Sequence, residues 1–313
     1  MNITILDAET LGHDLNLNIF QELGNLQIFA TTSPDQIISR CLNAEIIITN
    51  KVILNAEVLG KLPQLKLICV AATGTNNIDL AYCSQNNIQV KNAVDYSTNS
   101  VAQHTFTCLL ALLSNISYYD KYVKNSEYSK SSIFTHIDFP YEEISGKTFG
   151  VLGMGNIGRK VADIAAAFGA AVIYSSVSGA TREEKYKQTS LEYLLSNSDI
   201  VSIHSPLTDK TKNLITQREM NLMKPNSILI NMGRGGIVNE IDLYNALINN
   251  QISGACVDVF EKEPITKDNV LVDSKIAHKL ILTPHIAWAS VEARKKLVNI
   301  IYEHIKLYKS TKS

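Results

Sequence analysis

A glycine-rich turn near the middle of the chain constrains the fold more than any other feature of the sequence. Residues 148–158 read TFGVLGMGNIG, in which Gly153, Gly155 and Gly158 follow a short apolar run. A helical pattern, ADIAAAF at 162–168, comes next. This G-x-G-x-x-G spacing between a strand and a helix is typical of a dinucleotide-binding turn, although glycines also serve purely structural turns.

Each glycine of such a turn has its own physical task. Gly153 permits the tight turn, Gly155 lets the backbone approach a pyrophosphate, and Gly158 lets the helix pack close to the strand. The phosphates then accept hydrogen bonds from N–H groups at the start of the helix. We expect Asn156 and Ile157 to supply some of these groups, so that the sequence predicts a dinucleotide cofactor.

The turn lies almost halfway along the 313 residues, which raises the question of what precedes it. A chain of this length holds about two domains of roughly 150 residues each. Short apolar runs alternate with helical stretches before residue 97 and after residue 146, as in parallel β–α units. The predicted strands are Ile3–Leu6, Glu45–Ile48, Leu67–Ala71, Gln89–Val90, Thr148–Leu152, Ala171–Tyr174, Ile200–His204, Ser227–Asn231, Ala255–Val259 and Leu280–Leu282.

The segment between the two series is predicted to be helical and then irregular. Residues 98–124 have the pattern of one long helix, which Ser97 or Asn99 is suited to cap. Residues 126–146 contain serine, tyrosine and proline and resemble an irregular connection.

The end of the chain bears on how the two series are arranged. Residues 290–307 form an amphipathic helix pattern, which we expect to pack back on the first series. The cofactor domain, 97–286, would then be inserted into a substrate domain made of 1–96 and 287–313. The sequence therefore predicts a ligand cleft between the two domains.

Composition excludes several classes of protein. The net charge of −1 argues against a nucleic acid or an acidic membrane as the main partner. No apolar run reaches the ~18–20 residues of a membrane span. The start, MNITILDAET, has no basic flank and is not expected to be a signal peptide. The five cysteines are scattered without a C-x-x-C pair, which favours free thiols in a reducing cytoplasm over a disulfide frame or a metal site.

The choice between NAD and NADP stays open in the sequence. NAD enzymes usually place an acid about 20 residues after the turn, against the ribose 2′-hydroxyl. Here Ser175 and Ser176 occupy that region, and no acid follows before Glu183. Nothing there repels a 2′-phosphate, and Arg182 or Lys185 would reach it unless they belong to a solvated helix start.

Three later segments follow predicted strands, at the end where open α/β sheets bind ligands. NMGRGGIV carries Arg234, whose planar fork suits a carboxylate, although an exposed loop arginine has the same pattern. VDVFEKEP carries Glu263, which alone is more typical of a solvated loop acid. LTPHIAWAS carries His285, which alone would be more typical of a structural histidine. Together the three favour catalysis.

The three residues suit the reduction of a 2-keto acid. Arg234 would hold the carboxylate, His285 would donate a proton to the carbonyl oxygen, and Glu263 would favour the imidazolium. The nicotinamide supplies the hydride. Asp258 lies inside an apolar strand, which is costly unless the carboxylate is paired, and it is suited to accept a hydrogen bond from the nicotinamide carboxamide.

With these residues in place, the chain resembles the D-isomer-specific 2-hydroxyacid dehydrogenase family along nearly its whole length. The resemblance implies a Rossmann-type doubly wound cofactor domain inserted into a flavodoxin-like substrate domain, and usually a homodimer. Arg234, Glu263 and His285 fall on the family's catalytic residues, and Asp258 on its nicotinamide contact. The resemblance rests on AATGTNNIDL, STNSVAQHTF, VLGMGNIG, IHSPLTDKTKNLI, NMGRGGIV, VDVFEKEP and TPHIAWAS, in family order.

The resemblance also implies further contacts. Thr73 and Gly74 fall on the loop whose backbone amides hold the substrate carboxylate, although their pattern alone fits a simple turn after a strand. Pro206, Thr211, Met232 and Gly233 fall on segments that line the cofactor. The segment 106–122 would serve as a dimer interface or as a core helix.

Within the family, the first domain most resembles glycerate dehydrogenase or hydroxypyruvate reductase. This implies hydroxypyruvate and D-glycerate, or glyoxylate, as substrates. Glu263 stands where formate dehydrogenases of the family carry Gln, which disfavours that activity. The sequence VAQ at 101–103 replaces the commoner VAE. The alternative is a dinucleotide-sensing, corepressor-like binding protein with the same fold.

Overall fold

A computed structural model of the chain describes residues 1–177 and 183–311. The chain forms two compact units, one of Met1–Ser97 with the described part of Ala289–Ser313, and one of Thr98–Trp288. Each unit is built on its own parallel sheet, of five and of seven strands. The expected α/β class, with a Rossmann-type unit inserted in the sequence of a flavodoxin-like unit, is confirmed.

The sheet of the first unit has the order β2-β1-β3-β4-β5, which is that of flavodoxin-like folds. Every residue of β3 and β4 is buried. Side chains of a strand point alternately to the two faces of the sheet, so the continuous apolar sequences of these strands fit a sheet that is covered on both faces. The strands are β1 Asn2–Ile5, β2 Asn25–Ile28, β3 Ile46–Thr49, β4 Leu67–Val70 and β5 Gln89–Asn92, joined by the short helices α1 Ile37–Cys41, α2 Ala56–Leu59 and α3 Leu80–Gln85.

The sheet of the second unit reverses its strand order next to its first strand, as Rossmann-type sheets do. Its strands are β6 Thr148–Leu152, β7 Ala171–Ser175, β8 Lys187–Gln188, β9 Ile200–Ile203, β10 Ile228–Asn231, β11 Gly254–Val257 and β12 Leu280–Leu282, in the order β12-β11-β10-β9-β6-β7-β8. Its helices are α4 Thr98–Leu113, α5 Ile116–Lys124, α6 Asn156–Ala167, α7 Leu191–Asn197, α8 Gln217–Met220 and α9 Glu240–Ile248.

The reversal between β6 and β9 determines where a ligand binds. To one side of β6 the sheet continues through β7, and to the other side through β9. The connections that leave these strands diverge, so a crevice opens at their carboxyl ends. The glycine turn leaves β6 at that point.

The C-terminal helix, α10, spans Val291–Ser310 and belongs to the first unit. Ser290 caps it, since its side-chain oxygen accepts a hydrogen bond from the Ala293 amide at 3.2 Å. The helix buries Leu297 and Ile301 and contacts β4 and β5. The expected packing of this helix on the first unit is therefore found.

The single helix predicted over 98–124 is wrong. Helix α4 ends at Leu113 and α5 begins at Ile116, because Asn115 between them has a left-handed backbone with φ of 49°. Asparagine adopts the left-handed conformation more readily than most residues. A right-handed helix cannot continue through a residue in that conformation, so the helix is interrupted there. The helix starts at Thr98, so Ser97 precedes it and Asn99 is its second residue.

Two strands were not predicted, and both lie at sheet edges. Strand β2, with the sequence NLQI, is mostly exposed, and β8 has only two residues. An edge strand of this kind lacks the apolar run or alternation that marks a buried strand. Short 3-10 helices occur at Ala8–Leu11, Leu17–Glu22, Pro34–Gln36, Tyr128–Lys130, Val270–Val272 and Ser274–Lys279. Among the described residues, no helix combines the length and the apolar character needed to cross a membrane.

Candidate active site

The glycine turn has the conformation that its spacing predicts. Gly153 has φ of +99°, and its N–H donates to the Ser175 carbonyl at 3.0 Å. A Cβ on Gly158 would lie 2.1 Å from the Gly153 carbonyl oxygen, so no other residue fits between helix and turn. A Cβ on Gly155 would meet nothing within 4 Å. The turn is thus closed towards the protein at Gly158 and open towards a ligand at Gly155.

A cavity of about 580 Å³ adjoins this open side. It lies at the carboxyl ends of β6, β7 and β9, where the strand order reverses. The helix α6 begins there at Asn156, and the N–H groups of a first helical turn have no partner within the helix. The lining residues are Gly153, Met154, Gly155, Ser176, Val177, His204, Ser205, Pro206, Thr208, Asp209, Lys210 and Thr211.

Five predicted cofactor residues line this cavity, whereas others lie beside it. Gly153, Gly155, Ser176, Pro206 and Thr211 are lining residues. The remaining predicted residues near the turn, Asn156, Ile157 and Gly158, form the first turn of α6, while Ser175 is buried under the glycine turn and Met232 and Gly233 follow β10.

The loop after β9 is held by Thr211. Its hydroxyl donates to the Pro206 carbonyl at 2.7 Å and accepts a hydrogen bond from the Thr208 amide at 2.6 Å. The one hydrogen of this hydroxyl is therefore already used within the loop. This contact fixes the loop that forms one wall of the cavity.

His204 is a lining residue that the sequence analysis missed. Its Nε2 lies 2.8 Å from the Ser202 hydroxyl, and its buried Nδ1 has no hydrogen-bond partner among the described residues. Buried polar atoms are rarely left unpaired, so this nitrogen is an exception within the described residues. The signal in the sequence was its place directly after a strand whose carboxyl end faces the turn.

The burial of His204 has a consequence for acid stability. Burial lowers the pKa of His204 from its ordinary value of 6.5 to about 3. Between these values the unfolded chain binds one proton more than the folded chain, so the free energy of unfolding falls as the pH falls. For one proton, the free energy of unfolding changes by about 1.4 kcal/mol per pH unit. We expect His204→Gln to remove this part of the slope in urea denaturation measured from pH 7 to pH 5.

Two other histidines serve as controls for that measurement. His304 also has a pKa that burial lowers, so His304→Gln should reduce the slope as well. His278 is exposed, so His278→Gln reports what the substitution itself does to the stability of the protein. An unaltered slope in His204→Gln would contradict the burial of a neutral ring at this position.

Two charged residues that follow β7 bind side chains of α6. Glu184 is turned to α6, where its carboxylate binds the Arg159 guanidinium at 2.7 Å. The Lys185 Nζ lies 3.5 Å from the Oδ1 of Asp163, which is also a residue of α6. Arg182, the other predicted phosphate contact, lies outside the described residues. The described residues therefore favour neither NAD nor NADP.

Arg234 follows β10 in a loop that Asn231 holds. The Asn231 side chain donates to the Arg234 carbonyl and accepts from the Gly233 amide, both at 3.1 Å. The Arg234 guanidinium donates to the Gly233 carbonyl at 2.8 Å. In the described parts of the chain no carboxylate lies within 4 Å of this guanidinium. The guanidinium of Arg234 is thus available to bind the anionic group of a ligand.

A close backbone approach joins the Arg234 loop to the next loop. A Cβ on Gly235 would lie 1.8 Å from the Phe260 carbonyl oxygen, so the position admits only glycine. The segment that begins at Phe260 carries Glu263, whose carboxylate accepts a hydrogen bond from the Phe260 amide at 3.0 Å. The two loops therefore adjoin through their backbones.

His285 and Glu263 form a direct pair. The His285 Nδ1 lies 2.8 Å from the Glu263 Oε2, with the side chains 21% and 31% exposed. The His285 Nε2 makes no hydrogen bond with any residue in 1–177 or 183–311. With the carboxylate ionised, Nδ1 carries a proton towards Glu263, and Nε2 is left to exchange a proton with a ligand.

Asp258 follows β11 and holds the loop that carries His285. Its carboxylate, 1% exposed, accepts hydrogen bonds from the amides of Ile286 and Ala287, each at 2.9 Å, and from the Thr283 hydroxyl at 2.6 Å. The pairing that a buried carboxylate requires is thus supplied by the protein itself. Its contact with nicotinamide stays a prediction.

In the first unit, Thr73 and Gly74 lie in the loop after β4. The Thr73 carbonyl accepts a hydrogen bond from the Asn92 side chain at 2.6 Å. Within the part of the chain that the structure describes, the amides of Thr73 and Gly74 donate no hydrogen bond. Adjacent free amides of this kind suit an anion.

The second unit thus contains three elements of one chemistry. The helix start beside the cavity suits phosphates, the unpaired guanidinium of Arg234 suits a carboxylate, and the pair of His285 and Glu263 suits proton transfer. No group of three potential metal ligands occurs among the described residues.

Comparison with known proteins gives matches over the whole chain. Residues 106–287 match the family described as D-isomer specific 2-hydroxyacid dehydrogenase, NAD binding domain. The glycerate dehydrogenase of Methylorubrum extorquens is 38% identical over 310 residues, 98% of this chain and 95% of its own. The hydroxypyruvate reductase of Blautia hydrogenotrophica is 32% identical over 311 residues, 97% and 96% of the two chains. An acyclic imino acid reductase solved with NADPH and D-Arg has a TM-score of 0.87 and 32% identity, and the match covers 99% of this chain and 98% of that one.

Proposed function

Because the chain belongs to the D-isomer-specific 2-hydroxyacid dehydrogenase family of NAD(P)-dependent enzymes, we propose that it transfers a hydride between nicotinamide and a small D-2-hydroxy acid. The proposed substrates are hydroxypyruvate with D-glycerate, or glyoxylate. The glycerate dehydrogenase and hydroxypyruvate reductase among its relatives support this choice.

The observation that carries the proposal is the pair of His285 and Glu263 at 2.8 Å. In keto-acid reduction the His285 Nε2–H donates its proton to the carbonyl oxygen, while Nδ1–H stays bonded to Glu263. The carboxylate orients the ring and stabilises the imidazolium. When bound, nicotinamide supplies the hydride. In the oxidation direction the neutral ring accepts the proton from the hydroxyl.

Arg234 is proposed to bind the substrate. Its guanidinium has no carboxylate partner among the described residues, and its fork matches a carboxylate or a 2-keto acid in a bidentate arrangement. The positive charge beside the carbonyl oxygen also stabilises the negative charge that develops there. The free amides of Thr73 and Gly74 are proposed as further contacts of the substrate carboxylate.

The cofactor is proposed to bind along the glycine turn. The open side of Gly155 and the start of α6 at Asn156 support a ligand in the cavity. The proposed cofactor contacts are Gly153, Gly155, Asn156, Ile157 and Gly158 for the phosphates, with Ser175, Ser176, Pro206, Thr211, Met232, Gly233 and Asp258 along the rest of the molecule.

Alanine at two glycines should separate cofactor binding from folding. Gly155 has φ of −85° and open space at its Cβ, so Gly155→Ala should keep the thermal stability. We expect its cofactor Kd to rise about tenfold or more, a loss of ~1.4 kcal/mol, because the methyl group keeps the pyrophosphate away. Gly158→Ala should instead destabilise the fold by about 1–3 kcal/mol through overpacking.

Fluorescence titration with NADH and NADPH, with melting curves of the same samples, measures both effects. A Gly155→Ala protein with the Kd of the wild type for both cofactors would contradict phosphate binding at this turn. The Gly158→Ala protein is the matched control, because its defect should already be present in the melting curve without cofactor.

The proposed activity is tested by the initial rate of reduced-cofactor oxidation with hydroxypyruvate and with glyoxylate, separately for NADH and NADPH. Turnover with either acid supports the proposal, and the ratio of rates assigns the cofactor preference. The absence of turnover with both acids, in folded protein that binds the cofactor, would contradict the proposed substrates. No observation favours a regulatory protein over an enzyme.

We further propose a homodimer, with α5 and residues 128–141 at the interface. The segment predicted for that role divides into two parts, since Phe106 and Leu109 of α4 are buried in the core whereas α5 buries no residue. Phe134 is 89% exposed and Ile137 is 73% exposed. Large apolar side chains exposed to this degree support an interface at this segment. Analytical ultracentrifugation tests the assembly.

A cytoplasmic location is also proposed. All five cysteines are free and buried, as expected for a protein in a reducing compartment.

A further inference from the structure

His104 is a half-buried histidine of α4 with polar contacts that the proposed mechanism does not use. Its Nε2 lies 3.1 Å from the Thr283 hydroxyl, 3.4 Å from the Cys108 sulfur and 3.7 Å from the Asp258 carboxylate. Thr283 and Asp258 are two of the residues that hold the His285 loop. The histidine is therefore in contact with the support of that loop.

Counting protons assigns the direction of these contacts. The Thr283 hydroxyl has one hydrogen and donates it to the Asp258 Oδ1 at 2.6 Å. Towards His104 the hydroxyl oxygen acts as acceptor, so the His104 Nε2 carries a proton and donates it. Burial, together with the charge of Asp258, raises the pKa of the Cys108 thiol to about 11, so this thiol stays neutral and takes no proton from the ring.

The donated hydrogen bonds converge on one carboxylate. His104 donates to Thr283, and Thr283 donates to Asp258, whose oxygens also accept the amides of Ile286 and Ala287. His104 is the only basic side chain within 4 Å of Asp258 in the described residues. It thus orients the hydroxyl and faces the buried negative charge.

The loop needs this support because of the backbone of His285. That residue has φ of +55°, a conformation that costs a non-glycine residue about 1–3 kcal/mol. Its own amide donates to the carbonyls of Asp258 and Thr283, at 2.8 and 3.0 Å. The Asp258 carboxylate holds the next two amides. A carboxylate that rotates would release the backbone on one side of the general acid.

We propose that His104 is a positioning residue for His285, acting through Thr283 and Asp258. It fixes the Thr283 hydroxyl, which fixes the Asp258 carboxylate, which holds the backbone of the loop. Only the kinetic part of the proposal rests on the proposed function, because the ordering of the loop is a property of the protein alone.

The variants His104→Leu and His104→Gln test the donor. Leucine fills a similar volume without a donor, whereas the glutamine amide can replace the Nε2–H. We expect His104→Leu to lower kcat about 10- to 100-fold, since a small misplacement of a catalytic group has effects of this size. The cofactor Kd should change much less than kcat, because the glycine turn is unaffected, and His104→Gln should recover most of kcat. His278→Leu, at an exposed histidine, is the matched control and should change nothing.

A second measurement does not depend on turnover. Amide hydrogen exchange should become faster at Ile286 and Ala287 in His104→Leu, and should stay close to the wild type in His104→Gln. This result would support the positioning role even if the wild type reduced none of the tested acids, which would contradict only the proposed function. Unaltered exchange at these two amides in His104→Leu would overturn the inference.

Thr283→Val provides an independent route to the same answer. It removes the hydroxyl that links His104 to Asp258 in this relay of hydrogen bonds. Its effect and that of His104→Leu should therefore not be additive. If the double variant shows the sum of the two single effects in exchange and in kcat, the relay is overturned. If His104→Leu does not fold, Thr283→Val alone tests the inference, because unaltered exchange at Ile286 and Ala287 in that variant would overturn it.

Discussion

Replacing His285 by glutamine is expected to lower kcat for keto-acid reduction by about 100- to 10,000-fold, the range that general acid catalysis contributes. The glutamine side chain has an amide that can donate a hydrogen bond but cannot release a proton to the carbonyl oxygen. The cofactor Kd should stay near the wild-type value, because His285 does not line the cavity at the glycine turn. Stopped-flow reduction with saturating cofactor measures the effect.

The backbone at His285 calls for a second variant. Its φ of +55° is tolerated by asparagine at lower cost than by glutamine, so His285→Asn separates the loss of the acid from the loss of the loop conformation. Both variants should lose kcat to a similar degree, while only glutamine should lower the melting temperature noticeably. Full activity in His285→Asn would remove His285 from the mechanism.

Replacing Arg234 by lysine is expected to lower kcat/KM by about 10- to 150-fold, although the positive charge is kept. Lysine is a point charge without the planar fork, so one of the two charge-assisted hydrogen bonds to the substrate carboxylate is lost, at about 1.5–3 kcal/mol. Arg234→Gln, which also removes the charge, should lower kcat/KM further. Steady-state kinetics with hydroxypyruvate and glyoxylate measure both variants.

The control for this substitution is Arg218→Lys. Arg218 is 82% exposed and pairs with Glu219 on α8, so its replacement should leave kcat/KM unaltered. Both cofactors should bind Arg234→Lys as they bind the wild type, because the Arg234 loop lies after β10 and not at the glycine turn. An Arg234→Lys enzyme with the kcat/KM of the wild type would contradict bidentate substrate binding.

The elements predicted correctly are those whose local sequence carries the physical constraint. Glycine spacing encodes the turn after β6, because Gly158 leaves no room for a Cβ. The continuous apolar runs of β3 and β4 encode strands buried on both faces. The break at Asn115 was missed because a helix-forming pattern continues on both sides of a single left-handed residue.

The parts of the site that the sequence did not reveal depend on contacts between distant segments. A carboxylate inside an apolar strand shows that Asp258 needs a partner, but not that the partners lie at Thr283, Ile286 and Ala287. His204 and His104 look like ordinary core histidines in the sequence. Only the fold shows that one lines the cavity and that the other contacts the support of His285.

The position of α10 has a consequence for how the chain is made. The first unit contains the first 97 residues, yet its sheet is covered at β4 and β5 by a helix that begins at Val291. Synthesis proceeds from the N-terminus, so β4 and β5 lack this helix until residues 291–310 have left the ribosome. The second unit, continuous from Thr98 to Trp288, has all its strands before then. We therefore expect the unit made first to finish folding last, and loss of residues 291–310 to damage the first unit more than the second.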